Sequence, residues 1–201
     1  MNTFARQAMN FTESASQASL TVARNRRLEV GGRQVTLDAG RVYVVCWPDT
    51  AVMAANIGRL CNLTSPTIRH SGGALIADLS LQDNLMAEPA LQDGRLPTQL
   101  MPEIETLFRT ADCPLASATW PGTFPEQADA RSVMQVQVGR AMVADPDLLV
   151  MDATRWDDFV LSPLRFSQSF VTQFPWRTLI WATHDTGRAD KLRVLLEEFS
   201  A

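Results

Sequence analysis

Residues 125–152 read PEQADARSVMQVQVGRAMVADPDLLVMD, and residues 178–185 read TLIWATHD. In the first stretch the pattern predicts a helix over Glu126–Ala144, with Val133, Val136, Met142 and Val143 among its apolar positions. Asp145-Pro146-Asp147 stops it, and Leu148–Met151 is a short apolar run of buried-strand type that ends at Asp152. In the second stretch Thr178–Ala182 is another such strand, ending in Thr183-His184-Asp185. A helix is expected between them over Leu161–Phe174. Buried strands alternating with helices point to an α/β fold around a mostly parallel sheet, with chemistry at the carboxyl ends of the strands.

The same alternation extends upstream. Arg41–Cys46 is a compact apolar run rich in β-branched residues, and Trp47-Pro48-Asp49-Thr50 breaks it. Ala51–Leu63 suits a helix with Val52, Ala55, Ile57 and Leu60 on its apolar face and Thr50 or Asp49 as its N-cap. Short strands are expected at Leu20–Val22 and Gln34–Leu37 around a Gly31-Gly32 turn, behind an arm at residues 1–19. In the middle, Ser71-Gly72-Gly73 forms a turn and Ser80 can cap a helix over Leu81–Met86. Residues 87–98 and 111–125 read as loop. Leu100–Thr110 reads as a helix with Met101, Ile104, Leu107 and Phe108 on one face. A helix followed by a strand is expected over Arg188–Glu197. No internal repeat or linker divides residues 20–201, which are taken as one domain.

Composition narrows the function classes. The chain has 201 residues, 46% hydrophobic and 20% charged, enough for one sizeable core. Its basic residues are 17 Arg and one Lys, Lys191, which excludes a phosphate-loop lysine or a Schiff-base lysine elsewhere in the chain. Net charge is −4 and the densest basic cluster is Arg24, Arg26 and Arg27, which disfavours nucleic acid as a partner. No run approaches the ~18 apolar residues of a membrane span, and residues 1–19 lack a hydrophobic signal core, so a cytoplasmic location without membrane insertion is expected. Three cysteines, Cys46, Cys61 and Cys113, fit reduced thiols, and two histidines, His70 and His184, do not make a His-rich metal site; no metal is expected.

The segments Pro125–Ser132, Gln135–Met142 and Asp145–Asp152 together resemble ABC-transporter ATP-binding subunits, in which a signature loop opens a helix of the type RVALARAL, followed by a DP turn and the Walker B strand. Thr178–Asp185 is similar to that family's switch-histidine strand, and Ala189–Val194 to the ADRV that follows it. Ala74–Asn84 is similar to the stretch after the family's Q-loop, and Gly73-Ala74-Leu75-Ile76 is nearest to the GALF of Mce/Mla-type lipid-transport ATPases. The resemblance spans about residues 20–201. It implies a P-loop-NTPase-like core, a small helical subdomain at about residues 80–130 and a shortened N-terminal β part.

The same resemblance exposes what is missing. A P-loop, GxxxxGK[ST], needs glycines so that backbone N–H groups can wrap phosphates, a Lys for the β/γ-phosphates and a hydroxyl for Mg²⁺. The corresponding positions read Trp47-Pro48-Asp49-Thr50-Ala51-Val52-Met53-Ala54. Both glycines are replaced, Met53 stands at the lysine position and Ala54 at the hydroxyl position; Trp47 is bulky enough to fill part of the phosphate space. Ser71 falls near the Q-loop glutamine and Val30 near the adenine-stacking aromatic. The signature loop becomes Ala128-Asp129-Ala130-Arg131-Ser132, where Asp129 is a good helix cap that repels phosphate, while Arg131 would attract it. Walker B keeps Asp152, but the general-base position is Ala153; Asp157 or Asp158 falls near the D-loop aspartate, and His184 is the switch histidine.

Cassettes of this family pair head to tail, each site combining one chain's P-loop with the other's signature. This chain lacks both halves, so the resemblance implies a non-catalytic, pseudo-ATPase subunit that is a structural or regulatory component of a membrane transport complex. ATP and Mg²⁺ would be cofactors only if the family function persists. The implied partners are a membrane permease, through a surface built from about Ser71–Leu85 and Leu100–Phe108, and a second ATPase-like chain at the inner face of the membrane; lipid is the implied cargo. A second reading is an enzyme with a repurposed site drawn from Cys46, Asp49, Asp152, His184 and Asp185, and a third is a weakly nucleotide-binding cassette.

Overall fold

The computed structural model describes residues 21–23, 27–30, 33–62, 67–87, 97–154 and 161–200. The arm at 1–19, the Gly31-Gly32 turn, Asp157 and Asp158, and most of the 87–98 loop lie outside them.

Four strands form a parallel sheet in the order β4 (Val42–Cys46), β7 (Thr178–Thr183), β6 (Leu148–Asp152), β5 (Ile68–His70). Because successive strand residues point to opposite faces, each apolar run feeds two layers at once. Val44, Leu149, Met151, Leu179 and Trp181 enter one core cluster, together with residues of α2 (Leu81–Met86), α3 (Pro97–Thr110), α4 (Ala130–Val143), α5 (Pro163–Gln173) and α6 (Thr186–Ser200). Tyr43, Val45, Leu148, Val150, Ile180 and Ala182 enter the other, beneath α1 (Thr50–Cys61). A second, antiparallel sheet joins β1 (Thr21–Ala23), β2 (Arg27–Val30) and β3 (Arg33–Thr36). The sequence pattern missed β2, whose Arg-Leu-Glu-Val alternates too briefly to stand out.

Three expected elements are corrected. Helix α4 starts at Ala130 rather than Glu126, because the Asp129 side chain accepts the Ser132 N–H at 2.7 Å and Pro125–Gln127 closes a separate 3-10 turn. Arg188–Glu197 contains no strand: one helix runs from Thr186 to Ser200, with Ala189, Leu192 and Leu196 buried at helical spacing and Val194 57% exposed. On α1 the buried face is Met53, Asn56, Ile57 and Leu60, while Val52 is half-buried and Ala55 exposed.

Helix α4 is buried on nearly all sides, and it carries polar residues inside. Gln135 donates to the Cys113 and Pro114 carbonyls at 3.0 and 2.9 Å and accepts from the Ala116 N–H at 3.3 Å. Gly139 lets α2 approach: a Cβ there would lie 2.8 Å from Leu85 Cδ1.

The amino ends of the strands are laced by polar bonds. Asp147 accepts the Thr67 N–H and hydroxyl at 2.9 and 3.1 Å, returns its own N–H to Thr67 Oγ1 at 3.0 Å, and its carbonyl takes the Thr178 N–H at 3.0 Å. The Thr178 hydroxyl donates to the Asp38 carbonyl at 2.9 Å. Arg177 is buried, pairs with Asp145, and lies over the Phe174 ring at 4.7 Å. Gly40, at φ +69°, donates its N–H to the Arg177 carbonyl at 2.6 Å, and a Cβ there would sit 2.8 Å from the Pro175 carbonyl oxygen. Gly40→Ala is therefore expected to lower stability by about 1–3 kcal/mol in urea unfolding, the cost of a left-handed non-glycine residue plus a steric shift.

The carboxyl edge of the parallel sheet as the candidate functional site

The register brings five of the predicted positions to one edge. Backbone pairing continues one residue past each strand: the Trp47 N–H reaches the Thr183 carbonyl at 2.9 Å, Ala153 N–H the Ala182 carbonyl at 2.8 Å, and Ser71 N–H the Val150 carbonyl at 2.9 Å. Trp47, His184, Asp152, Ala153 and Ser71 therefore follow or end four neighbouring strands. Ala128–Ser132 lie apart, at the start of α4, where their bonds run locally: Ala128 to Pro125, Asp129 to Ser132, and Arg131 Nε to Cys113 Sγ at 3.3 Å. Val30 ends β2, in the other sheet.

Between β4 and α1 only Trp47, Pro48 and Asp49 intervene. Of the eight positions that correspond to the P-loop, five, Thr50–Ala54, are helical. Asp49 is extended; its carboxylate accepts the Val52 N–H at 2.8 Å and its carbonyl the Met53 N–H at 3.0 Å. A helix N-terminus concentrates partial positive charge and free N–H groups, which is why phosphates bind there. Here a carboxylate of the chain itself takes that place. Met53 points into the α1-side core, only 4% exposed, while Thr50 and Ala54 are exposed. Trp47 has the bulk to fill part of a phosphate space, but its side chain packs in the core layer beneath α1, with Met53 and Ile57, as in a plain strand–loop–helix turn with core residues.

At the other strand ends Asp152 bonds locally, while Ser71 Oγ and His184 Nδ1 are buried without a hydrogen-bond partner among the described residues. Asp152 is buried, and its Oδ1 accepts both the N–H and the hydroxyl of Thr154, at 3.0 and 2.5 Å. Ala153, the base position, is buried in the opposite cluster. Ser71 is buried and His184 half-buried. Asp185 caps α6 by accepting the Arg188 N–H at 3.1 Å. Cys46 packs against the helical cluster; burial raises its thiol pKa, Arg193 partly offsets this, and Asp185 and Asp190 add to it. A thiol so placed is a poor nucleophile. Among the described residues no group of three His, Cys, Asp or Glu side chains could hold a metal ion, and no helix is long and apolar enough to cross a membrane.

Within the segments expected to form the docking surface, the apolar face is turned inward. Leu81, Leu85, Ile104, Leu107 and Phe108 are core residues. The large apolar side chains left exposed on segments bonded to α2 are Ile76, at 49%, and Phe124, at 38%. Leu81 N–H bonds the Thr123 carbonyl at 2.8 Å, which ties the Phe124 segment to α2. Residues missed by the sequence reading hold the Ile76 segment. Asn84 accepts the Ile76 N–H at 2.7 Å and donates to the carbonyls of Ile76, Leu79 and Ser80 at 2.9–3.1 Å. Gln137 donates to the Gly73 carbonyl at 2.9 Å and Arg140 to that of Ala74 at 3.0 Å. Their signal was polar residues spaced among the apolar ones of a buried helix.

No family model and no curated protein matches the chain. Solved structures do. The dimeric structure of MJ0796, described as a bacterial ABC transporter cassette, is 12% identical with a TM-score of 0.55 over 85% of this chain and 89% of that one. The ATP-binding subunit of an ABC transporter is 13% identical, TM-score 0.56, over 88% and 81%. CbiO1 from Clostridium perfringens, part of the ABC transporter complex cbiONQ, is 11% identical, TM-score 0.55, over 85% and 80%. The chain thus has the α/β fold of ABC transporter ATP-binding cassettes.

Two outcomes follow from this geometry. Asp49→Ala should cost about 1 kcal/mol in thermal or urea unfolding, as loss of an N-cap does, while Asp49→Asn should cost little. Cys46 should alkylate with iodoacetamide more slowly in the folded chain than in the unfolded one, with a pH midpoint above that of an ordinary thiol, as read by peptide mass spectrometry.

Proposed function

We propose that the chain is a non-catalytic cassette-like subunit, a structural or regulatory component of a membrane transport complex, in which nucleotide binding and hydrolysis are lost. The observation that carries this reading is the three-residue β4–α1 connection closed by Asp49. A connection that short cannot wrap a triphosphate, and the carboxylate at the helix start repels one. The signature position supports the same reading, since Asp129 occupies the start of α4 in the same way. With both half-sites affected, pairing with an intact cassette would complete neither composite site.

The framework that such a subunit needs is present: the parallel sheet, its helices and two bonded segments that leave Ile76 and Phe124 exposed. In this reading those two side chains form the contact with a permease at the cytoplasmic face of the membrane, and a second cassette-like chain completes the complex. The neighbours' descriptions as transporter cassettes support a transport role, and the likeness of Gly73–Ile76 to lipid-transport ATPases supports lipid as cargo.

The direct test is titration with labelled ATP and Mg²⁺, together with phosphate release from the purified chain. No saturable binding up to millimolar nucleotide and no hydrolysis above buffer are expected. Micromolar binding would overturn the proposal.

A further inference from the structure

Helix α6 packs along the sheet edge strand β4, and in this packing Arg193 is 6% exposed. One of its terminal nitrogens, Nη1, donates to Asp190 Oδ1 at 2.7 Å, one turn earlier on the same helix. Asp190 itself is mostly in solvent, so this pair neutralises the guanidinium from the outside only. The other edge of the guanidinium, Nε and Nη2, is buried, and neither nitrogen has a hydrogen-bond partner among the described residues. Those two N–H groups form the fork that grips both oxygens of one carboxylate or phosphate. A buried donor left unmade is costly, and doubly so on a cation, so two adjacent ones on one planar edge define a place for an acceptor of matching shape.

Lys191 and Arg188 lie on the same helix and line a groove with Leu192, Leu195, Gly187 and Asp185, a groove that Arg193 does not line. Among the described residues the one charged partner of Arg193 is Asp190, at Nη1.

We propose that the Nε–Nη2 edge of Arg193 is an oxyanion site, occupied by a phosphate or carboxylate that pins α6 to the edge strand. The site is independent of the phosphate loop and of the proposed loss of nucleotide binding. Asp190 is its outer counter-charge and, being exposed, the side chain that yields as the anion enters.

The test is thermal unfolding of the full chain in inorganic phosphate, acetate and chloride at matched ionic strength. Phosphate, acetate or both should raise the wild-type midpoint saturably above chloride, and the more effective ion identifies the class. Arg193→Gln should abolish that difference, and Asp190→Asn should tighten the apparent affinity about two- to fivefold, as removal of one exposed counter-charge does. Equal midpoints in all three salts, or the same rise in Arg193→Gln, would overturn the proposal. Should Arg193→Gln fail to fold, the Nε–H resonance of Arg193 in the ¹⁵N-labelled wild type decides: a saturable shift with phosphate or acetate supports the site, and an unmoved resonance refutes it. Nucleotide titration of the same samples keeps this result separate from the fate of the ATP site.

Discussion

Each strand of the parallel sheet must be buried on both faces, and the rest of the molecule is arranged around that requirement. Tyr43 and Val45 pack under α1 while Val44, between them, packs under the opposite helices; Leu148 and Val150 alternate with Leu149 and Met151 in the same way. At ~25 cal/mol per Å² of apolar surface removed from water, such strands supply much of the drive to fold. Their amino ends are then fixed in register by Asp147, Thr67, Thr178 and Arg177. Neither contribution depends on residues at the carboxyl edge. Polar chemistry at that edge can vary without loss of the scaffold, although Trp47 and Ala153 there are themselves core residues.

The carboxyl edge has its own physical logic. Exposed helix starts carry unsatisfied N–H groups, and something must meet them. At α1 it is Asp49 and at α4 it is Asp129, each one residue before the helix and each bonded to the N–H three residues on. The same solution recurs at α6, where Asp185 takes the Arg188 N–H. Three aspartates thus do locally, each at its own helix start, what a bound anion would do elsewhere.

Much of this was legible in the sequence because buried strands leave a strong signal. Leu148–Asp152 and Thr178–Thr183 emerged almost to the residue, as did the Ser80-capped helix over Leu81–Met86. The difficulties came where packing rather than pattern decides. Helix α4 is buried on nearly every side, so its start is set by the Asp129 cap and not by an apolar stripe. A helix followed by a strand is expected over Arg188–Glu197 because a short apolar run fits either period; burial of Ala189, Leu192 and Leu196 identifies one helix. Trp47 illustrates the same limit. Its bulk was evident, but whether it faced the loop or the core depended on how soon α1 begins. The roles of Asn84 and Gln137 required knowing which carbonyls lay near them.

The early start of α1 has a consequence for any attempt to reinstate chemistry at this edge. Because Met53 already belongs to the apolar layer beneath the helix, a lysine there would carry its ammonium into that layer rather than toward a ligand. Point exchanges at Trp47–Ala54 would therefore not make a phosphate-wrapping loop while α1 begins at Thr50. The helix would first have to unwind at Thr50, or extra residues would have to enter beside Pro48, before glycine, lysine or hydroxyl had any phosphate to meet. At this edge the letters alone do not decide what can bind; the point at which α1 begins does.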